Sequence, residues 1–127
     1  MDKLQRPTDA ELAILKVLWA HGPCTVRQVH EHLDADPPRG YTTVLKLLQI
    51  MSEKKLVRRN EKQRAHVYEA AVSAEKVHRK YLRHLLDKAF DNSTSKLVMQ
   101  ALAARPASRG ELAEIRRLLD EIEGDLK

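Results

Sequence analysis

Thr25-Val26-Arg27-Gln28-Val29-His30-Glu31-His32-Leu33, then Asp34-Ala35-Asp36-Pro37-Pro38-Arg39-Gly40, then Tyr41-Thr42-Thr43-Val44-Leu45-Lys46-Leu47-Leu48-Gln49-Ile50-Met51 is the stretch that decides the fold. Thr25 with Gln28 forms a capping box, in which each side chain satisfies a backbone N–H at a helix entrance. Val26, Val29 and Leu33 give that short helix an inner face. Pro37 and Pro38 lack N–H groups, and Pro37 disfavours helical geometry at Asp36, so the helix cannot run on. A new helix is predicted from about Tyr41 to Lys54, with Val44, Leu47, Leu48 and Met51 as its inner stripe. Helical geometry then puts Thr42, Thr43, Lys46 and Gln49 on or near the outer side.

Working outward, Thr8 with Glu11 is another capping box. It opens a helix carrying Leu12, Ile14, Leu15, Val17, Leu18 and Trp19, which Gly22-Pro23 ends. On the C-terminal side the period changes. Leu56-Val57-Arg58-Arg59 and Ala65-His66-Val67-Tyr68-Glu69 are β-tolerant and flank a polar tip, so a hairpin is predicted. Three short helices followed by a basic hairpin outline a winged helix-turn-helix over residues 1–72.

Residues 73–127 read as a separate helical arm. A helix from Ser73 to Phe90 presents Val77, Tyr81, Leu82, Leu85 and Ala89 on one side. A shorter one carries Leu97, Val98, Ala101 and Leu102 up to Arg105-Pro106. A third capping box, Ser108 with Glu111, starts the last helix, whose Leu112, Ile115, Leu119, Ile122 and Leu126 alternate steps of three and four like a coiled-coil seam. A helix of this length is marginal alone in water. The expectation is a second copy of the arm as its partner, with Tyr81, Leu85, Leu97 and the seam residues in the dimer interface. The competing reading folds the arm back on its own first domain. The fold class expected is therefore mainly α with a small β-hairpin.

The chain has 127 residues, 23 Lys and Arg against 18 Asp and Glu, and a net charge of +5. That surplus alone is modest. Its placement says more: Arg39, Lys46, Lys54, Lys55, Arg58, Arg59, Lys62 and Arg64 crowd one stretch opposed locally by Glu53 and Glu61. The N-terminal residues are too polar for a signal peptide and no apolar run is long enough for a bilayer, which predicts a soluble cytoplasmic protein. Cys24 is the sole cysteine, so no internal disulfide and no thiolate cage is available. His30 and His32 diverge on one helix, as do His78 and His84, and His21 and His66 stand isolated in sequence. No ligand spacing typical of a metal site emerges, and no cofactor is expected. Nor is there a phosphate-cradling glycine loop, a nucleophile elbow or a paired-carboxylate cleft, so the chain reads as no enzyme.

In a helix-turn-helix the second helix enters the major groove with its N-terminal residues at base edges. Here Tyr41, Thr42, Thr43, Lys46 and Gln49 take that place. Threonine hydroxyls meet phosphates or bases, their methyls pack on thymine, and Lys46 reaches guanine or a phosphate. Arg39 beside the helix start suits a phosphate. Arg58, Arg59, Lys62 and Arg64 on the hairpin would straddle the backbone or minor groove with salt-dependent affinity. Singly, each of these is as well read as an ordinary solvated residue, and a basic hairpin tip also keeps an edge strand soluble; together they favour double-stranded DNA. A protein-interaction adaptor that has lost DNA contact, and a regulator that senses a small ligand directly, are the alternatives.

Thr8 through Trp19, Thr25 through Val29, Tyr41-Thr42-Thr43-Val44 with Leu47-Leu48, Lys54-Lys55-Leu56-Val57, Arg64 through Tyr68 and Gly110 through Leu119 together resemble the penicillinase repressor family. The resemblance covers nearly the whole chain. It implies a homodimeric winged-helix repressor on an inverted-repeat operator with TACA/TGTA half-sites, read by the N-terminal domains and held by interlocked C-terminal helices. In the β-lactam-responsive branch, a membrane metalloprotease sensor is linked indirectly to cleavage of the repressor. The matching bond here is Gln100-Ala101, where those members carry Asn-Phe. The copper-responsive branch carries a C-terminal cysteine cluster that this chain lacks. Thr42 stands where a lysine is common, and Lys46 where a neutral residue is common, which implies an altered operator.

Overall fold

The computed structural model describes residues 6–34, 38–62 and 64–126. In chain order these form α1 (Asp9–His21), β1 (Cys24–Thr25), α2 (Val26–His32), α3 (Tyr41–Glu53), β2 (Val57–Asn60), β3 (Val67–Ala70), α4 (Ala74–Ala89), α5 (Thr94–Ala104) and α6 (Arg109–Asp125). Of the loop expected to break α2, Ala35, Asp36 and Pro37 lie outside the described residues, as does Gln63 of the wing tip. The chain divides into two compact units, Met1–Arg83 and His84–Lys127, and the junction falls inside α4.

All three capping boxes form as read. Thr8, Thr25 and Ser108 each accept a hydrogen bond from the backbone N–H three residues on, and the Glu11, Gln28 and Glu111 side chains each take the N–H of their cap residue. These bonds satisfy donors that a helix start otherwise leaves open. Gly22 ends α1 at φ +77° while its N–H donates to the Leu18 carbonyl, a backbone state that favours glycine.

In the first unit α1, α2 and α3 surround one aliphatic core. Ile14, Leu15, Val29, Val44, Leu48 and Met51 are fully buried in it, with Leu56, Val57 and Tyr68 contributed from the wing side. Leu47, expected on the inner stripe, is half-buried and packs at the edge of that core. The hairpin is part of a larger sheet. Its strands pair antiparallel with Arg58 opposite Glu69 and Arg59 opposite Tyr68, and β1 adds to the far side of β3, giving the order β1-β3-β2. Tyr68 therefore lies between Cys24 and Arg59, with its ring buried in the core.

The first turns of α4 buttress this unit. Val77 is fully buried in the same core. The Trp19 indole N–H donates to the Val72 carbonyl at 2.9 Å, and its ring meets His78 edge-on. Tyr81 is half-buried; its hydroxyl donates to the Pro7 carbonyl at 2.6 Å, and the Arg6 guanidinium lies 5.5 Å from its ring centre. Burial and the nearby Asp9 and Glu11 carboxylates push the Tyr81 hydroxyl pKa up against the opposing pull of Arg6.

The second unit contains the end of α4 with α5 and α6. Asp91 and Asn92 take left-handed backbone conformations in the turn after α4, and the Asn92 N–H donates to the Leu86 carbonyl. No described residue of this unit is buried.

Candidate nucleic-acid interface

The register of α3 follows from its inner stripe. With Val44, Leu48 and Met51 locked into the core, Tyr41, Thr42, Thr43, Lys46 and Gln49 are all exposed. Three of the four residues read as outward, Thr42, Thr43 and Lys46, fall in the first half of the helix, the half that a helix-turn-helix presents to base edges. Tyr41 is 49% exposed and stacks edge-on against His30 at 6.2 Å between ring centres. His30 Nε2 lies 3.0 Å from the Arg39 carbonyl oxygen, so α2 holds the entrance of α3 from below. Arg39 is exposed just ahead of that entrance.

The wing residues separate into two groups. Arg58 pairs with Glu69, directly opposite it, at 3.2 Å, and Arg59 pairs with Glu61 and with the Tyr68 hydroxyl. Those contacts hold the Arg59 pKa above its ordinary range. Lys62 sits at the tip, where its backbone N–H donates to Asn60 Oδ1, and Arg64 is exposed on the return. The basic stretch is thus less unopposed than its sequence implies. Glu69 answers Arg58, and Glu11 answers Lys54 from 43 positions away.

That last pair was invisible in sequence. Glu11 is 1% exposed, its side chain shared between the Thr8 N–H and Lys54 Nζ, each at 2.9 Å. Burial pushes its carboxyl pKa up, but the Thr8 hydrogen bonds and the Lys54 cation outweigh it and leave the value below the usual range. The pair ties the entrance of α1 to the C-cap of α3. Lys54 is therefore a brace for the exposed helix as well as a member of the basic stretch.

A cleft of about 530 Å³ opens between α2, the start of α3 and the wing, lined by Thr25, Val26, Arg27, Tyr41, Leu45, Arg64, Ala65, His66 and Tyr68. It brings together Tyr41 of α3 and Arg64 of the wing, and adds Arg27 and His66, which are not among the residues singled out from the sequence. Neither belongs to the outer face of α3 or to the run of wing arginines, from which the candidate site residues were drawn.

The histidines hold one surprise. His21 and His32, read as isolated and diverging, stack at 3.9 Å with their planes 15° apart. Near-parallel rings direct their nitrogen lone pairs alongside one another rather than at a common point. Among the described residues no three His, Cys, Asp or Glu side chains come together to hold a metal ion. Cys24 is buried, which pushes its thiol pKa up and away from a reactive thiolate, and it donates to the Gly22 carbonyl. No helix among the described residues is long and apolar enough to cross a membrane.

On the second unit, Leu97, Leu112 and Ile115 are half-buried, whereas Leu85, Leu119, Ile122 and Leu126 are exposed together with Val98, Met99 and Leu118. Gln100 and Ala101 are exposed inside α5.

Three helices closed by a small sheet, with one helix exposed beside a basic wing, define a winged helix-turn-helix, a class of protein that presents a helix to duplex DNA. The chain belongs to the penicillinase repressor family, whose profile matches residues 7–121. A transcriptional regulator BlaI of Mycobacterium tuberculosis is 34% identical over 124 residues, covering 97% of this chain and 89% of that protein. The solution structure of the DNA-binding domain of the repressor BlaI matches at a TM-score of 0.50 and 24% identity, over 58% of this chain and 90% of that domain. The PcaV transcriptional regulator from Streptomyces coelicolor shares the fold at a TM-score of 0.50 and 16% identity, over 97% of this chain and 79% of that one. The protein is a DNA-binding transcriptional repressor of this family, and its relatives are regulators, not enzymes.

Proposed function

We propose that the protein acts in the cytoplasm as a homodimer on an inverted-repeat operator in double-stranded DNA. Residues 1–72 read the DNA, with the first turns of α4 as their buttress, and residues 73–127 supply the dimer. The observation that carries the reading is the outward set Thr42, Thr43, Lys46 and Gln49 on α3, beside Arg64 and the basic wing. The half-exposed leucines and isoleucine of α6 support the dimer, because a monomer rarely leaves so many large apolar side chains on one element in water.

An inducing signal that undoes the dimer would release the operator. Gln100–Ala101 is accessible, but it lies mid-helix in α5, so a protease would need the helix to open locally first. A membrane metalloprotease sensor acting indirectly is the partner proposed for that route; a gene for one beside this gene would favour it.

The test is binding of labelled promoter fragments from the protein's own operon against random duplex, titrated with salt. Thr43→Ala is expected to reduce the operator's advantage over random DNA, whereas Arg64→Ala weakens both by roughly tenfold through loss of a phosphate contact. Equal loss on both duplexes for Thr43→Ala would overturn its base-reading role.

A further inference from the structure

We infer that Arg27 and His66, together with Tyr41 and Arg64, form a grip for one phosphodiester of the DNA backbone. The inference rests on the DNA-binding reading and assigns two residues that neither the exposed helix nor the wing arginines account for. The cleft between α2, α3 and the wing gathers them from three separate elements.

Its chemistry points to an anion. Among the described residues, the charged ones lining it are Arg27 and Arg64, His66 adds a ring N–H, Tyr41 adds a hydroxyl, and no carboxylate lines it. Arg27 does have an acid on its own helix, Glu31, but at 3.7 Å and with both side chains mostly exposed. Such a pair is worth little in water, so the guanidinium exchanges it readily for a phosphate. The capping box engages two amides at the start of α2, the Thr25 N–H with Gln28 Oε1 and the Gln28 N–H with Thr25 Oγ1. The cationic side chains supply the charge that a phosphate needs.

The apolar part of the lining argues for a tethered phosphate over a free ion. Val26, Leu45 and Ala65 line the same cleft, giving apolar surface that a deoxyribose covers and a bare anion does not. At about 530 Å³ the cleft also exceeds what a small ion needs, since a water molecule takes only about 30 Å³. Tyr41, the first residue of α3, is among its lining residues. A phosphate held there fixes the register of Thr42 and Thr43 on the bases, the role that backbone contacts play in DNA recognition.

The experiment uses the full-length protein with operator and random duplexes of equal length, followed by fluorescence anisotropy across a salt series. Arg27→Gln is expected to weaken both duplexes by about tenfold and to lower the slope of log K against log salt by about one. His66→Gln should weaken both by about threefold, and Arg27→Lys should recover most of the loss. Matching thermal midpoints exclude misfolding, which exposure of the Arg27 side chain makes easy to meet. Unchanged affinity and slope in Arg27→Gln, with wild type binding normally, would overturn the phosphate grip while leaving the DNA-binding reading intact. Loss confined to the operator would also overturn it, in favour of base reading. If inorganic phosphate displaces DNA better than chloride at equal ionic strength, and Arg27→Gln abolishes that advantage, the cleft is a free-anion pocket and the assignment falls. Absence of wild-type binding to any duplex would overturn both readings together.

Discussion

Leu48 on α3 and Leu119 on α6 are the same residue on two amphipathic helices, yet one is fully buried and the other 52% exposed. The difference runs through the two units they belong to. In the first, three helices and a sheet enclose Ile14, Leu15, Val29, Val44, Leu48 and Met51 within a single chain. In the second, α5 and α6 carry apolar faces of similar quality and none of their residues is buried. A helix hides its apolar stripe only where other elements wrap it. The first unit meets that condition by itself, and the second leaves a face that a further chain can cover. Stability and assembly are therefore expected to depend on different leucines.

Leu48→Ala should be the most damaging change, costing about 2–5 kcal/mol through lost burial and a cavity beside the winged-helix core. Thermal unfolding should show a large fall in midpoint that does not depend on protein concentration. Leu119→Glu should leave that unfolding nearly unchanged in dilute protein and act on assembly, turning dimer into monomer at low micromolar concentration by sedimentation. An unchanged sedimentation mass would break the contrast at its root.

Next in size is the Glu11–Lys54 brace. Lys54→Met should cost about 1–2 kcal/mol, since it strands a buried carboxylate although water reaches the lysine side. The pH dependence has a definite sign. The folded Glu11 carboxyl is held below its ordinary value, so its stabilising contribution is complete above the usual glutamate range and is lost as pH falls through the folded value. Glu11→Gln should flatten that part of the acid limb in a plot of thermal midpoint against pH. An acid limb identical to wild type would remove the brace from the account.

The smallest effect concerns Lys55, which sits at φ +65° just after α3. Lys55→Gly relieves that left-handed strain and should raise stability by up to about 1 kcal/mol in denaturant unfolding. A fall in stability would indicate that the lysine side chain makes a compensating contact.

What could be read in the sequence was what is local. Thr8/Glu11, Thr25/Gln28 and Ser108/Glu111 announce their helices within four residues, and each forms. The stripe Val44, Leu48, Met51 fixed which way Thr42, Thr43, Lys46 and Gln49 point, because a helix has only one register for a given inner face. What escaped was assembled across distance. A two-residue strand, Cys24–Thr25, has no periodicity to detect, so the hairpin was anticipated but not its third strand. Glu11 finds Lys54, and His21 finds His32, only once the helices pack. Arg27 and His66 belong to a helix and a wing that share a cleft solely in three dimensions, while the run of basic residues drew attention to Arg58 and Arg59, both of which have acidic partners in the chain.

The central claim is that a self-sufficient DNA-reading unit is carried by an arm that another copy completes. Sedimentation equilibrium of the full-length protein with a labelled operator duplex, at moderate salt, tests it most directly. The account predicts one complex with two chains per duplex for wild type, and a loss of that complex in Leu119→Glu despite an intact winged-helix unfolding transition. A wild-type complex with a single chain, or a Leu119→Glu complex indistinguishable from wild type, would contradict it.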